Sequence, residues 1–229
     1  TRLLATMSTP SFFHEDRLFP ADTGVRGIAR ELYASVRDLP IISPHGHTDP
    51  RWFSGDEAFE SPTALLLAPD HYVFRMLYSQ GIALQDLGVP SVDGSAVEQD
   101  DRKIWRLFAQ NYRLFRGTPS RMWLDSVFVQ VFGFEHVLCE ENADHYYDTI
   151  NTALATDAFR PRALFERFNI ELLATTESPL DDLAHHKAIA AGDWHGRVIS
   201  AYRPDPVVDP EFEGFSGAVR VLGELTGED

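Results

Sequence analysis

The chain has 229 residues, 44% hydrophobic and 12% aromatic, enough to bury the core of one large domain or of one domain with an insertion, which excludes a wholly disordered chain. Its 20 Lys and Arg stand against 35 Asp and Glu, and a net charge of -15 repels phosphate backbones and argues against nucleic acid as a partner. Cys139 is the one cysteine, so no intrachain disulfide forms, which fits a reducing cytoplasm, and no apolar run reaches the roughly 18 residues of a membrane span.

Thr1 to Met7 carries no apolar core like that of a signal peptide, and Thr1 itself suggests a trimmed end. Val25, Ile28, Ala29, Leu32, Tyr33 and Val36 recur at helical spacing and predict an amphipathic helix over 23–36. Leu39-Pro40-Ile41-Ile42 then reads as a short buried strand that runs into the loop Ser43-Pro44-His45-Gly46-His47. From about Arg51 to Phe165 helical patterns dominate. One helix is expected from Asp70 to Gly81, another over about 100–115, a third from Pro119 to Phe132 and a fourth around 142–155. Strand signals return at Ile170–Thr176 and Arg197–Arg203, each followed by a helix, at 180–191 and 215–225. This strand–helix order predicts parallel βα units. The organisation expected is 1–50 for the first helix and strand, 51–165 for a helical insertion, and 166–229 for two further strands with their helices. The fold class is α/β, a partial (β/α)8 barrel of about three strands, with a small open sheet as the alternative.

Four groups of residues carry chemistry. His45 and His47 sit at i and i+2, so on extended backbone both project the same way and both imidazoles reach one divalent metal. Gly46 between them lets the backbone turn at the strand end. The alternative is two histidines in a polar loop. Asp70 as a cap places His71 and Tyr72 in the first helical turn, with Arg75 one turn on from His71. Imidazole and phenol move protons, and a guanidinium forks to a carboxylate; the alternative is a capped surface helix. Thr175-Thr176-Glu177-Ser178-Pro179 follows a strand, and Ser178 or Thr176 is expected to cap the next helix, whose positive end suits Asp181 and Asp182. Arg203 ends the third strand, ready either for a carboxylate ligand or for an ion pair with Asp205. His185, His186 and Lys187 read as a solvated helix face, Cys139 as a packed thiol, and Trp52, Trp105 and Trp123 as core anchors.

Taken in this order, His45-Gly46-His47, Asp70-His71-Tyr72 with Arg75, Thr175-Thr176-Glu177-Ser178-Pro179 and Arg203-Pro204-Asp205 resemble the uronate isomerase family of the amidohydrolase superfamily. Glu177 and Ser178 stand where that family usually has acids. The resemblance implies a (β/α)8 barrel that interconverts D-glucuronate with D-fructuronate, and D-galacturonate with D-tagaturonate. It implies a divalent metal, expected to be zinc, on His45 and His47. His71 and Tyr72 are implied as the catalytic pair, and Arg203 and Arg75 as substrate-binding residues. A small-molecule uronate is the partner implied, without nucleic acid or membrane, and a homo-oligomer is compatible with it. Family members are roughly double this length, and their last strand supplies an acidic metal ligand and a nearby arginine. The expectation is therefore an N-terminal half that carries part of the site. The alternatives are another metal-dependent hydrolase of the superfamily, or a truncated chain without activity.

Overall fold

The computed structural model describes residues 11–228; the reading of Thr1 to Met7 lies outside them. Helix α1 (Thr23–Val36) starts at Asp22, whose carboxylate accepts the Val25 N–H at 2.9 Å. Strand β1 (Ile41–Ser43) is followed by α2 (Pro50–Gly55) and α3 (Pro62–Leu66), two short helices the periodicity did not reveal. Each has a capping side chain, Asp49 or Ser61, directly before a proline, and proline suits the first helical position because its missing N–H has no partner there. The expected helices follow as α4 (His71–Ser79), α5 (Asp101–Asn111), α6 (Pro119–Ser126) and α7 (Ala143–Leu154). The helix expected to reach Phe132 stops being α-helical at Ser126. Val127–Val131 winds wider, with the Phe132 N–H bonded to the Val127 carbonyl at 3.3 Å. Then come α8 (Pro161–Arg167), β2 (Ile170–Glu177), α9 (Ala184–Ala191), β3 (Arg197–Tyr202), α10 (Asp205–Val208) and α11 (Phe215–Thr226).

Helix α9 starts four residues later than the sequence suggested. Asp181 and Asp182 hold the preceding turn by accepting the Leu183 and Ala184 N–H groups at 2.7 and 2.8 Å, while Ser178 bonds Leu180 rather than the helix. Helix α9 therefore begins beyond both aspartates.

Among the described residues the chain forms two compact units, one of residues 11–37 with Ala58–Phe159 and one of Asp38–Glu57 with residues 160–228. Helix α1 thus belongs with the helical unit and β1 with the other. The helical unit is built around Trp105, Phe108, Tyr112, Phe128, Tyr146 and Ile150, all essentially inaccessible. The Trp105 indole N–H donates to the Ala143 carbonyl at 2.9 Å, so its one polar atom is satisfied in the core. Trp123 does not share that core. It is 37% exposed, against the expectation of an anchor, because it projects from the outward side of α6 while Leu124 faces in.

The second unit is a parallel sheet in the order β1-β2-β3. One face packs on α2, α8 and α9 through Phe53, Phe165, Leu173, Ile189 and Val198, with Trp194 stacked on Phe53. Strand β1 is not buried as expected: Ile41 and Ile42 are 49% and 59% exposed. It is a three-residue outer strand, and among the described residues it is paired on one side only, with β2.

Candidate active site

His45 and His47 lie in the loop just past β1 rather than on the strand itself, yet their Nε2 atoms converge to 3.1 Å. The rings meet edge to face, with centroids 4.9 Å apart. The loop is held from β2. The Thr176 hydroxyl donates to the Gly46 carbonyl at 3.4 Å, and a Cβ at position 46 would stand 3.0 Å from the Ala174 carbonyl oxygen. Gly46 is therefore required by close approach of two backbones, not by an unusual turn.

Two imidazole nitrogens bound to one tetrahedral zinc at about 2.05 Å would be about 3.3 Å apart, so the observed spacing fits a shared divalent cation. Among the described residues no cluster of three or more His, Cys, Asp or Glu adds a further ligand. Asp49, two residues on, is committed elsewhere. It caps α2 through the Arg51 N–H, and its hydrogen bonds to the Arg51 guanidinium, 2.8 Å at Nε, hold its carboxyl below the usual carboxylate range.

Arg203 follows β3, at the same carboxyl-terminal edge of the sheet as the histidine pair, the edge where sites of parallel α/β folds form. Its N–H donates to the Glu177 carbonyl at 3.3 Å. Its Nε lies 3.4 Å from Asp205, with both side chains about half exposed, so the expected ion pair exists but is long and solvated.

In the helical unit, Asp70 caps α4 by accepting the Tyr72 N–H at 2.8 Å. This sets His71 and Tyr72 side by side, with ring centroids 4.3 Å apart and Tyr72 61% exposed. Tyr72 and Arg75 line a cavity of about 710 Å³ together with Met76, Phe115, Ser120 and Trp123. The structure thus joins His45 to His47, and His71 to Tyr72, and sets Arg203 beside the end of β2.

One cluster escaped the sequence reading. His186 is not on a solvated face; its side chain is 11% accessible, and its Nε2 lies 2.8 Å from the hydroxyl of buried Thr175. That hydroxyl also reaches Glu177 Oε2 at 2.9 Å. Only the i, i+2 spacing of Thr175 and Glu177 hinted at a shared face; the contact with α9 depends on where that helix starts. Its neighbours do remain at the surface: His185 bonds the Ser54 hydroxyl at 2.9 Å and Lys187 the Asp182 carbonyl at 2.7 Å. Cys139 is partly buried, and burial pushes its thiol up, as an unactivated packed cysteine should be.

The sequence pattern of the Glucuronate isomerase family matches residues 12–229. The chain belongs to the glucuronate isomerase family. A uronate isomerase from Phenylobacterium zucineum is 64% identical over 97% of this chain and 46% of its own length, and one from Mesorhizobium japonicum is 60% identical over 93% and 46%. The crystal structure of a glucuronate isomerase from Caulobacter crescentus superposes with a TM-score of 0.89 at 59% identity, covering 95% of this chain and 45% of that one. A Thermotoga maritima uronate isomerase structure gives a TM-score of 0.77 at 26% identity, over 88% and 42%. The chain spans just under half the length of these glucuronate isomerase relatives. No helix among the described residues is long and apolar enough to cross a membrane.

Proposed function

We propose that this chain supplies part of the active site of a uronate isomerase, interconverting D-glucuronate with D-fructuronate and D-galacturonate with D-tagaturonate. The observation that carries the reading is the convergent His45–His47 pair on a chain 64% identical to a uronate isomerase. The three parallel strands are read as an arc of a (β/α)8 barrel of the amidohydrolase superfamily, in a cytoplasmic enzyme. His45 and His47 would hold a divalent metal, read here as zinc, one of the ions imidazole nitrogen suits, which when bound would polarise sugar oxygens.

The reaction moves one hydrogen from C2 to C1 and one from O2 to O1. Arg203 suits the C6 carboxylate, since among the described residues its fork has a single long, solvated side-chain partner to give up. Arg75 offers a second cation beside Tyr72. His71 and Tyr72, in contact and exposed at a helix start, hold and pass protons at the sugar oxygens. A metal-dependent hydrolase of the same superfamily has no observation that favours it. The test is turnover by the protein in its full natural length. Metal-replete enzyme given D-glucuronate should yield D-fructuronate by proton NMR. His45→Ala and His47→Ala should each lower bound zinc and abolish turnover. Absence of ketose with a full metal complement would refute the reading.

A further inference from the structure

We propose that His186 is a positioning residue that aims Arg203, acting through Thr175 and Glu177 at the end of β2. The proposal rests on the reading of Arg203 as the carboxylate ligand.

The chain of contacts is short. Thr175 is 1% exposed, and its hydroxyl lies 2.9 Å from Glu177 Oε2 and 2.8 Å from His186 Nε2. A hydroxyl has one proton to give, and a carboxylate only accepts. Thr175 therefore donates to Glu177, and His186 donates its Nε2–H to Thr175. The competing acceptor, the Ile199 carbonyl, is farther at 3.3 Å and uncharged. His186 and Glu177 side chains are 11% and 10% accessible, so water competes little for these bonds. The network ties α9 to the last residue of β2.

That last residue is where Arg203 is fixed. Glu177 pairs in register with Tyr202, and its carbonyl accepts the Arg203 N–H at 3.3 Å. Among the described residues the Arg203 guanidinium has only Asp205, at 3.4 Å and half exposed, to orient it. Its direction is thus set chiefly by the backbone at Tyr202 and Arg203, and that backbone leans on Glu177. Thr176 points to the opposite face, where its hydroxyl reaches the Gly46 carbonyl. The end of β2 therefore stands between the histidine loop and the arginine. The arm toward Gly46 is a hydroxyl contact of 3.4 Å that does not pass through His186, so loss of His186 should fall on Arg203.

The test is a double-mutant cycle in the full-length, zinc-loaded protein with D-glucuronate. Arg203→Ala should raise KM on the order of tenfold or more, and His186→Ala about fivefold, with kcat within about twofold and zinc content unchanged. The doubly substituted protein should show the KM of Arg203→Ala alone, because His186 acts only through that side chain. His186→Gln, whose amide can still donate to Thr175, should restore most of the KM. Thr175→Val breaks the same chain and serves if His186→Ala does not fold. KM factors that multiply in the double variant, or a KM unmoved by His186→Ala and Thr175→Val, overturn the positioning role alone. A KM unmoved by Arg203→Ala overturns the carboxylate assignment, and the positioning role with it.

Discussion

Gly46 is held by space. Its backbone passes so near β2 that a methyl group would meet the Ala174 carbonyl at 3.0 Å, and a strand carbonyl cannot swing aside as a flexible side chain can. Gly46→Ala should push the loop off β2, stretch the Thr176–Gly46 contact and part the two imidazoles. The expected cost is about 1–2 kcal/mol, as for other overpacked sites, seen as a lower thermal midpoint together with weaker retention on dialysis of the zinc proposed for the pair. Wild-type zinc retention and an unchanged midpoint would show that the loop is not held this way. The histidine pair was legible because i, i+2 spacing is local geometry, which survives even though the pair lies beyond the strand. The reason for the glycine was not legible: sequence suggests a turn, whereas the constraint comes from a carbonyl 128 positions along the chain. His186 illustrates the same limit, since its burial follows from the register of α9 against β2.

At the scale of elements, aspartate caps fix the starts of helices that the apolar spacing had located, and of these only Asp70 was read as a cap from the sequence. Asp22, Asp70 and Asp100 each precede a helix and each accepts a backbone N–H from its first turn. Asp100 accepts two, from Arg102 at 2.9 Å and Lys103 at 3.1 Å, and α5 then delivers Ile104, Trp105 and Phe108 to the core. Asp100→Ala should cost about 1 kcal/mol through the cap alone. Trp105→Ala should cost about 3–5 kcal/mol, since it removes a fully buried indole together with its hydrogen bond to the Ala143 carbonyl. Urea denaturation of both variants checks the ratio. Equal losses would mean that α5 is secured mainly at its start. Helices α2 and α3 were missed because six and five residues make fewer than two helical turns, too few for a repeat to register, and their signature is the cap–proline pair at Asp49-Pro50 and Ser61-Pro62. The break in the helix after Ser126 was missed too, because no Gly or Pro marks it before Gly133.

For the whole molecule, the aromatic core makes stability depend on pH at the alkaline end. Tyr112, Tyr146 and Tyr147 lie in the helical core, and burial pushes all three phenols above their ordinary value, with Asp125 adding to the shift of Tyr112 and Tyr146. The Tyr112 hydroxyl donates to Asp125 at 2.8 Å, and Asp125 in turn holds Arg121 at 2.7 Å. A raised folded-state value means that the native protein keeps its proton where the unfolded chain has released it. The stabilising contribution is complete below about pH 10, the value for a free phenol, and is lost as pH rises beyond it. The urea midpoint should therefore stay level up to about pH 9.5 and then decline. Other groups also ionise in that range and add to the repulsion within a chain of net charge -15, so the decline alone does not isolate Tyr112. Tyr112→Phe does isolate it. The variant keeps the ring among Phe108, Phe115 and Phe128 but has no phenol to ionise when unfolded. Relative to wild type it should lose stability at pH 8, where Asp125 gives up a hydrogen bond. It should then recover by as much as about 1.4 kcal/mol per pH unit above pH 10, the limit for one proton. Parallel pH profiles for the two proteins would show that Tyr112 titrates alike in both states and that its burial does not govern the alkaline transition.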